Sequence, residues 1–208
     1  KGPDFSTGNC CNNSICDGLK SRDSEPMDDN SHGTHVAGTI GAVTNNNTGV
    51  SGINWDVTLM AVKTMSSAGC GHTDDIIDGI EYAADNGAKV INVSIGNTLA
   101  CTSSYQSAVT NARAKGAIVV AAAGNNNVDA LNFAPASCNG VITVGATTQS
   151  DTRWNLSNWG ERVDISAPGH EIVSTVLSNQ YGPKNGTSMA APHVSGVIGL
   201  LLRSEQRR

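Results

Sequence analysis

Ala117-Ile118-Val119-Val120-Ala121-Ala122-Ala123 is a continuous apolar run, with Gly116 before it and Gly124 after it. It lacks polar alternation and is short, which is the pattern of a strand buried on both faces. Working outward, Lys89–Ser94 (KVINVS) has the same character, and Val141–Ala146, Val163–Ile165 and Thr58–Thr64 (TLMAVKT) read as further strands. Helical patterns lie between them. One runs from about Gly33 to Val43, where small residues allow close packing. Another opens on Thr73-Asp74-Asp75, a cap with acids in the first turn, carries Ile76, Ile77, Ile80 and Ala83-Ala84 at helical spacing, and ends at Asn86-Gly87. Ser104–Lys115 closes at Gly116, and Met189–Leu202 is long and apolar. Short apolar strands alternating with helices predict an α/β fold, a parallel sheet covered on both faces, in one domain without internal repeats.

The chain has 208 residues, 15% charged, with a net charge of −5. This composition argues against a nucleic-acid binder or a membrane-surface binder, either of which needs a basic patch. No apolar run approaches the ~20 residues of a membrane span. Cysteines stand at positions 10, 11, 16, 70, 101 and 138 with no pair of CxxC motifs, so disulfides in an oxidising compartment are the better reading than zinc. Residues 1–31 are polar and turn-rich and read as a loop stapled by cysteines.

A parallel sheet presents its functional loops at the carboxyl ends of its strands. His32, at a helix start beside Gly33, can act as a base near neutral pH. Ser188 lies in the first turn of an apolar helix, where unpaired N–H groups can stabilise an oxyanion. Asn125, after the 117–123 strand, offers an amide donor. Ser94-Ile95-Gly96 ends another strand and could pair with an extended peptide. Taken singly, each reads equally as a cap, a turn or a strand end.

Taken together, His32-Gly33-Thr34-His35, Ser94-Ile95-Gly96, Ala122-Ala123-Gly124-Asn125 and Gly186-Thr187-Ser188-Met189-Ala190-Ala191-Pro192-His193 occur in an order that resembles the subtilisin-like serine proteases (subtilases), in particular secreted bacterial members with disulfides. The resemblance implies a three-layer α/β fold with a mainly parallel central sheet and a serine endopeptidase working through an acyl-enzyme. It makes Ser188 the nucleophile, His32 the general base, and Asn125 with the Ser188 N–H the oxyanion hole. Ser94, Ile95 and Gly96 would bind substrate backbone. Ala122, Ala123 and Gly124 would form one wall of the primary specificity pocket, with Ala134-Pro135-Ala136 nearby. Small side chains there suggest an open pocket and broad specificity with an apolar P1 residue. His35 and His193 match family positions as helix residues, not catalysts.

One departure stands out. The family's catalytic Asp precedes a Pro-Asp-Leu/Phe motif by several residues, and Pro3-Asp4-Phe5 matches that later motif. The resemblance therefore implies that residues 1–208 are a partial catalytic domain, lacking the first strand with its Asp and the C-terminal end. Asp4, Asp28 and Asp29 do not take the Asp's place. Without it the chain is expected to be nearly inactive, with a loss of about 10⁴ in rate. The alternative from another class is a pseudoprotease used for binding.

The resemblance further implies a structural calcium ion, held by Asp4, the side chain of Asn46 and the carbonyls of Thr44, Thr48 and Val50. A second site would use Asp164 with the carbonyls of Asn139 and Val141. It implies a Cys101–Cys138 disulfide, and Cys70 paired with Cys10, Cys11 or Cys16. Expected partners are protein or peptide substrates, with neither nucleic acid nor membrane. A secreted monomer is expected, and a propeptide is compatible with it.

Overall fold

The computed structural model describes residues 3–5 and 25–205. Its centre is a four-stranded parallel sheet of β1 (Val90–Val93), β2 (Ile118–Ala122), β3 (Val141–Thr147) and β4 (Ile165–Pro168), hydrogen-bonded in that order. The run that reads as a doubly buried strand is one: Val119, Val120, Ala121 and Ala122 are all buried. Val119 and Ala121 face a core shared with α2 (Thr73–Asp85) and α3 (Ser103–Ala114). Val120 and Ala122 face the other core, packed on Ala190 and Ala191 of α4 (Thr187–Glu205). The alternation of β2 between two apolar layers makes the molecule three layers deep.

Local chemistry sets the helix ends. The Thr102 hydroxyl accepts from the Tyr105 N–H at 3.3 Å and starts α3, and Gly116, at φ 82°, leaves it in the left-handed conformation that glycine adopts without cost. The first helix, α1 (His32–Gly41), has Ser31 in the cap position, but the Ser31 side chain makes no capping bond. Asp28 caps it instead. Its Oδ1 accepts from the N–H groups of Asn30 and Ser31, both at 2.9 Å, and its Oδ2 from the N–H of Thr34 at 2.7 Å and the Thr34 hydroxyl at 2.5 Å.

Three regions differ from the sequence reading. Residues 58–64 form no strand among the described residues: the only pairing is a parallel bridge between Lys63 and Asp4. Leu59 and Met60 are exposed there, because nothing described covers that side of the segment. Conversely, Ile172–Val176 (β5) and Gln180–Lys184 (β6) form an antiparallel hairpin that the sequence reading omits. The hairpin receives α1. His35 Nε2 lies 2.8 Å from the Ile172 carbonyl and 3.2 Å from that of Gly182, and the hydroxyls of Ser174 and Thr175 donate to the carbonyls of His35 and Thr34 at 2.8 and 2.9 Å. Gly38 makes this contact possible, since a Cβ there would overlap the hydroxyls of Thr175 and Ser174. The fourth strand begins at Ile165 and runs three residues past it to Pro168, so the Val163–Ile165 reading is displaced toward the chain's start. Cys101 and Cys138 form a disulfide, and Cys70 is disulfide-bonded as well. Cys10, Cys11 and Cys16, like most of the 1–31 loop, lie outside the described residues.

Candidate active site

The ends of β1 and β2 meet the start of α4. Ser188 is the second residue of that helix, Ser94-Ile95-Gly96 follows β1, and Asn125 follows β2. Pro192 explains how the first two join. A helical N–H at position 192 would bond to the carbonyl of Ser188, four residues back, and proline has none. The freed Ser188 carbonyl accepts the Ser94 hydroxyl at 2.8 Å. Ser94 Oγ in turn accepts from Asn92 Nδ2 at 2.8 Å, and Asn92 Oδ1 accepts from the Ser195 hydroxyl at 2.9 Å. This chain of bonds ties β1 to α4 at two points two turns apart, Ser188 and Ser195.

Thr187 performs the matching task on the other side. Its N–H and its hydroxyl both donate to Asn125 Oδ1, at 2.8 and 2.9 Å, while Oγ1 accepts the Gly124 N–H at 3.0 Å. With Oδ1 used twice, the Asn125 amide is oriented with Nδ2 as its remaining arm. Neither Asn125 Nδ2 nor the Ser188 N–H has an acceptor among the described residues. Two unspent donors thus sit on either side of Gly186, whose added Cβ would lie 3.4 Å from Asn125 Nδ2 and 3.6 Å from Ser188 N. That is the donor pair an oxyanion requires.

The loop bearing Asn125 is held from behind by Asn158. Its Oδ1 accepts from the N–H groups of Asn126 and Val128 at 3.0 and 3.1 Å, and its Nδ2 donates to the Ala123 carbonyl at 2.9 Å. Thr187 and Asn158 are buried polar residues that sequence reasoning missed. Thr187 adjoins Ser188 and was within reach of a capping argument. Asn158 carries no sequence signal.

His32 is the first residue of α1 and half-buried. Burial, above all, lowers its pKa, with the Lys184 ammonium adding to the effect and the Asp28 carboxylate opposing it. It is therefore neutral near pH 7, as a proton acceptor must be. The Ser188 hydroxyl donates to the Ser94 carbonyl at 2.8 Å. Asp28 is fully engaged in capping: burial pushes its carboxyl up, but the bonds from Thr34, Asn30 and Ser31 outweigh this and hold it below the ordinary value. It is a cap and not an orienting partner for His32.

The backbone groups of Ile95 and Gly96 make no hydrogen bonds among the described residues, which leaves an edge open to an extended peptide. Ala122 ends β2, and Ala123 and Gly124 follow it toward Asn125. The buried Phe133 ring lies against both Gly96 and Gly124.

A matching family and similar proteins can be set beside this geometry. The subtilase family profile matches residues 7–207. The chain belongs to the subtilase family. It is 49% identical over 179 residues to the thermophilic serine proteinase of Bacillus sp. (strain AK1), covering 86% of this chain and 44% of that protein. It is 46% identical to thermitase of Thermoactinomyces vulgaris, covering 86% of this chain and 63% of thermitase. It therefore spans less than two thirds of these curated relatives. Among solved structures, a protease from Pseudoalteromonas arctica superposes with a TM-score of 0.86 at 36% identity, covering 97% of this chain and 71% of that one. The subtilisin-like three-layer fold follows from these likenesses and from the parallel sheet.

The loop after α1 suits a hard cation in part. Asn45, Asn47 and Gly49 all have positive φ, which coils the segment. No hydrogen bond among the described residues ends on the carbonyls of Thr44, Thr48 or Val50. Asn46 Oδ1 accepts the Thr48 N–H at 3.1 Å, however, and Asp4 Oδ2 is ion-paired with Lys63 at 3.3 Å. At the second position, the Asn139 carbonyl accepts from Gln106 at 3.0 Å and Asp164 Oδ2 from the Thr143 N–H at 2.8 Å. The Arg162 guanidinium donates to Asn139 Oδ1 at 3.0 Å, a fixed positive charge beside those oxygens. That donor set does not fit a divalent cation.

Proposed function

We propose that these residues carry most of the site of a serine endopeptidase. The observation behind this reading is the pair of unspent donors, Asn125 Nδ2 and Ser188 N–H, beside the Ser188 hydroxyl. Ser188 Oγ attacks the scissile carbonyl carbon while His32 takes its proton. The carbonyl oxygen, now negative, is met by the two donors. Collapse of the adduct breaks the C–N bond, His32 gives its proton to the departing amine, and an acyl ester remains on Ser188. Water, deprotonated by His32, then attacks the ester carbonyl; the C–Oγ bond breaks, His32 returns its proton to Ser188 Oγ, and the acid leaves. Ile95 and Gly96 align the substrate as an added strand next to β1, which lowers the entropic cost of reaching the attack geometry.

The carboxylate that orients His32 is assigned to a strand outside these 208 residues. Support comes from β1, which is an end strand of the described sheet, and from Leu59 and Met60, apolar side chains that are exposed among the described residues. The domain is read as partial, and by itself nearly inactive. Calcium is proposed at the Thr44–Val50 loop, where a bound ion would supply charge to carbonyls that accept no hydrogen bond among the described residues. Secretion is proposed from the disulfides and from relatives named as extracellular proteases. No helix among the described residues is long and apolar enough to cross a membrane.

Casein hydrolysis by the complete protein, compared with its Ser188→Ala variant, tests the reading. Loss of essentially all activity is expected. Retained hydrolysis in the variant would refute it.

A further inference from the structure

Asparagine followed by glycine occurs three times, at Asn86-Gly87, Asn139-Gly140 and Asn185-Gly186. The pair is chemically labile: a glycine nitrogen, with no Cβ beside it, can reach the side-chain amide carbon of the preceding asparagine. The fold treats the three pairs unequally. The Gly87 N–H donates to the Ala84 carbonyl at 3.1 Å, and the Gly186 N–H to the Gly169 carbonyl at 2.7 Å, so both nitrogens are engaged. The Gly140 N–H has no acceptor among the described residues, and Asn139 and Gly140 are both exposed.

Two guanidinium groups attend this nitrogen and the carbon beside it. Arg162 donates to Asn139 Oδ1 at 3.0 Å. That bond draws electrons from the amide carbon and sets a cation where negative charge would develop on attack. Arg113, in the last turn of α3, lies against Gly140, where an added Cβ would be 2.8 Å from Arg113 Cδ and 2.9 Å from Cζ. A cation there favours loss of the proton from the Gly140 nitrogen. Gln106 keeps Asn139 within reach of Arg162: its Oε1 accepts the Asn139 N–H at 2.9 Å and its Nε2 donates to the Asn139 carbonyl at 3.0 Å. At the other two pairs no guanidinium touches the amide. Asn86 Nδ2 donates to the Tyr82 carbonyl at 2.9 Å, and Asn185 Oδ1 accepts the neutral N–H of Glu171 at 2.5 Å.

We propose that Asn139-Gly140 is a self-modification site that deamidates through a cyclic imide, with Arg162 and Arg113 promoting the reaction. Hydroxide takes the Gly140 proton, the nitrogen bonds to Asn139 Cγ, and Oδ1 takes up the negative charge beside Arg162. Collapse breaks the Cγ–Nδ2 bond, and Nδ2 takes a proton from water and leaves as ammonia. Water then opens the imide at either carbonyl, giving aspartate or isoaspartate. Water is consumed and ammonia released. Either product sets a carboxylate near Arg162, and isoaspartate adds a methylene to the main chain between Cys138 and β3.

The test is to age the complete protein in mildly alkaline buffer, carrying Ser188→Ala so that self-digestion does not compete. Peptide mapping then measures the acid forms at Asn86, Asn139 and Asn185. Conversion at Asn139 should outrun that at the other two by at least about 10-fold, the scale of one charge-assisted bond. In urea the three rates should draw together. Arg162→Gln should slow Asn139 several-fold and leave Asn86 and Asn185 unchanged. Equal rates in the folded protein overturn the inference, and that comparison does not depend on how Arg162→Gln folds. An advantage of Asn139 that persists in urea also overturns it, since local sequence and not the fold would then set the rate. A folded Arg162→Gln variant that deamidates at the original rate overturns the part assigned to the guanidinium.

Discussion

Ser94 and Ser188 exchange hydrogen bonds: the Ser94 hydroxyl donates to the Ser188 carbonyl and the Ser188 hydroxyl to the Ser94 carbonyl, each at 2.8 Å. The first bond exists because Pro192 withholds the N–H that would otherwise claim the Ser188 carbonyl. The second holds the proposed nucleophile on the edge proposed to receive substrate. Ser94→Ala leaves the Ser188 carbonyl without its partner and Asn92 Nδ2 without an acceptor. We expect a loss of about 1–3 kcal/mol in unfolding free energy, the cost of stranding buried polar groups. Chemical denaturation checks this. An unchanged midpoint would show that the link is not structural.

Thr187 sets the direction of Asn125, and the two should act on one step. Asn125→Ala removes an oxyanion donor, a change worth about 3–4 kcal/mol of transition-state stabilisation, the magnitude found in a subtilisin, a member of this family. Thr187→Val keeps the shape and the N–H bond but deletes the hydroxyl that holds Oδ1 and receives Gly124 N. Its expected cost is a fall in kcat of about 10-fold, near 1.4 kcal/mol, with KM nearly unchanged and with rescue by Thr187→Ser. A Thr187→Val effect confined to KM would contradict a role in positioning Asn125.

Asn158 binds three backbone groups of the 123–128 loop with one side chain. Asn158→Ala strands two N–H groups and a carbonyl, so at least about 2 kcal/mol of stability should go with it. Asn158→Asp should not rescue, because a carboxylate cannot donate to the Ala123 carbonyl. Thermal unfolding of both variants provides the measurement.

Three histidines point to acid sensitivity. Burial lowers the pKa of His32, His35 and His193 below the ordinary 6.5, with bonds to backbone carbonyls opposing the shift for His35 and His193. His35 Nε2 serves the carbonyls of Ile172 and Gly182, while Nδ1 is buried without a partner, a placement that tolerates only the neutral ring. Between the folded values and 6.5 the unfolded chain binds more protons, so stability rises with pH across that window. It should be fully present above about pH 6.5 and fall as the pH drops through the lowered values. Asp28, held below its ordinary 3.8, adds a further loss only near and below that pH. Melting temperature measured from pH 8 to pH 4 checks the sign, and a rise on acidification would contradict it.

The sheet and helices were legible where burial imposes a pattern. β2 is apolar throughout because both its faces are covered, and α2 and α3 stop at Gly87 and Gly116, both at positive φ; the Thr73 cap expected for α2 is not formed, since Thr73 is already helical and the cap position, His72, makes no side-chain capping bond. The hairpin of β5 and β6 was not legible: Gln180, Tyr181, Gly182, Pro183 and Lys184 have neither alternation nor a run of apolar residues, and their pairing is set by Val173 and Ser174 opposite and by His35 of α1. Residues 58–64 misled in the other direction, since apolar residues announce a strand only if a neighbour is present to pair with it. At the site, Ser188, His32 and Asn125 stand out by motif, but their support does not. Asn158 and Thr187 act through tertiary contacts between segments far apart in sequence, and no spacing rule brings such segments together.

The central claim is that Ser188 is a nucleophile served by two oxyanion donors. The most direct measurement is mass spectrometric mapping of the complete protein after treatment with a fluorophosphonate, which forms a bond only with a serine activated in this way. A single adduct on the peptide containing Ser188, abolished by Ser188→Ala and much slowed by Asn125→Ala, is the predicted result. No adduct, or one that persists in Ser188→Ala, would contradict the account.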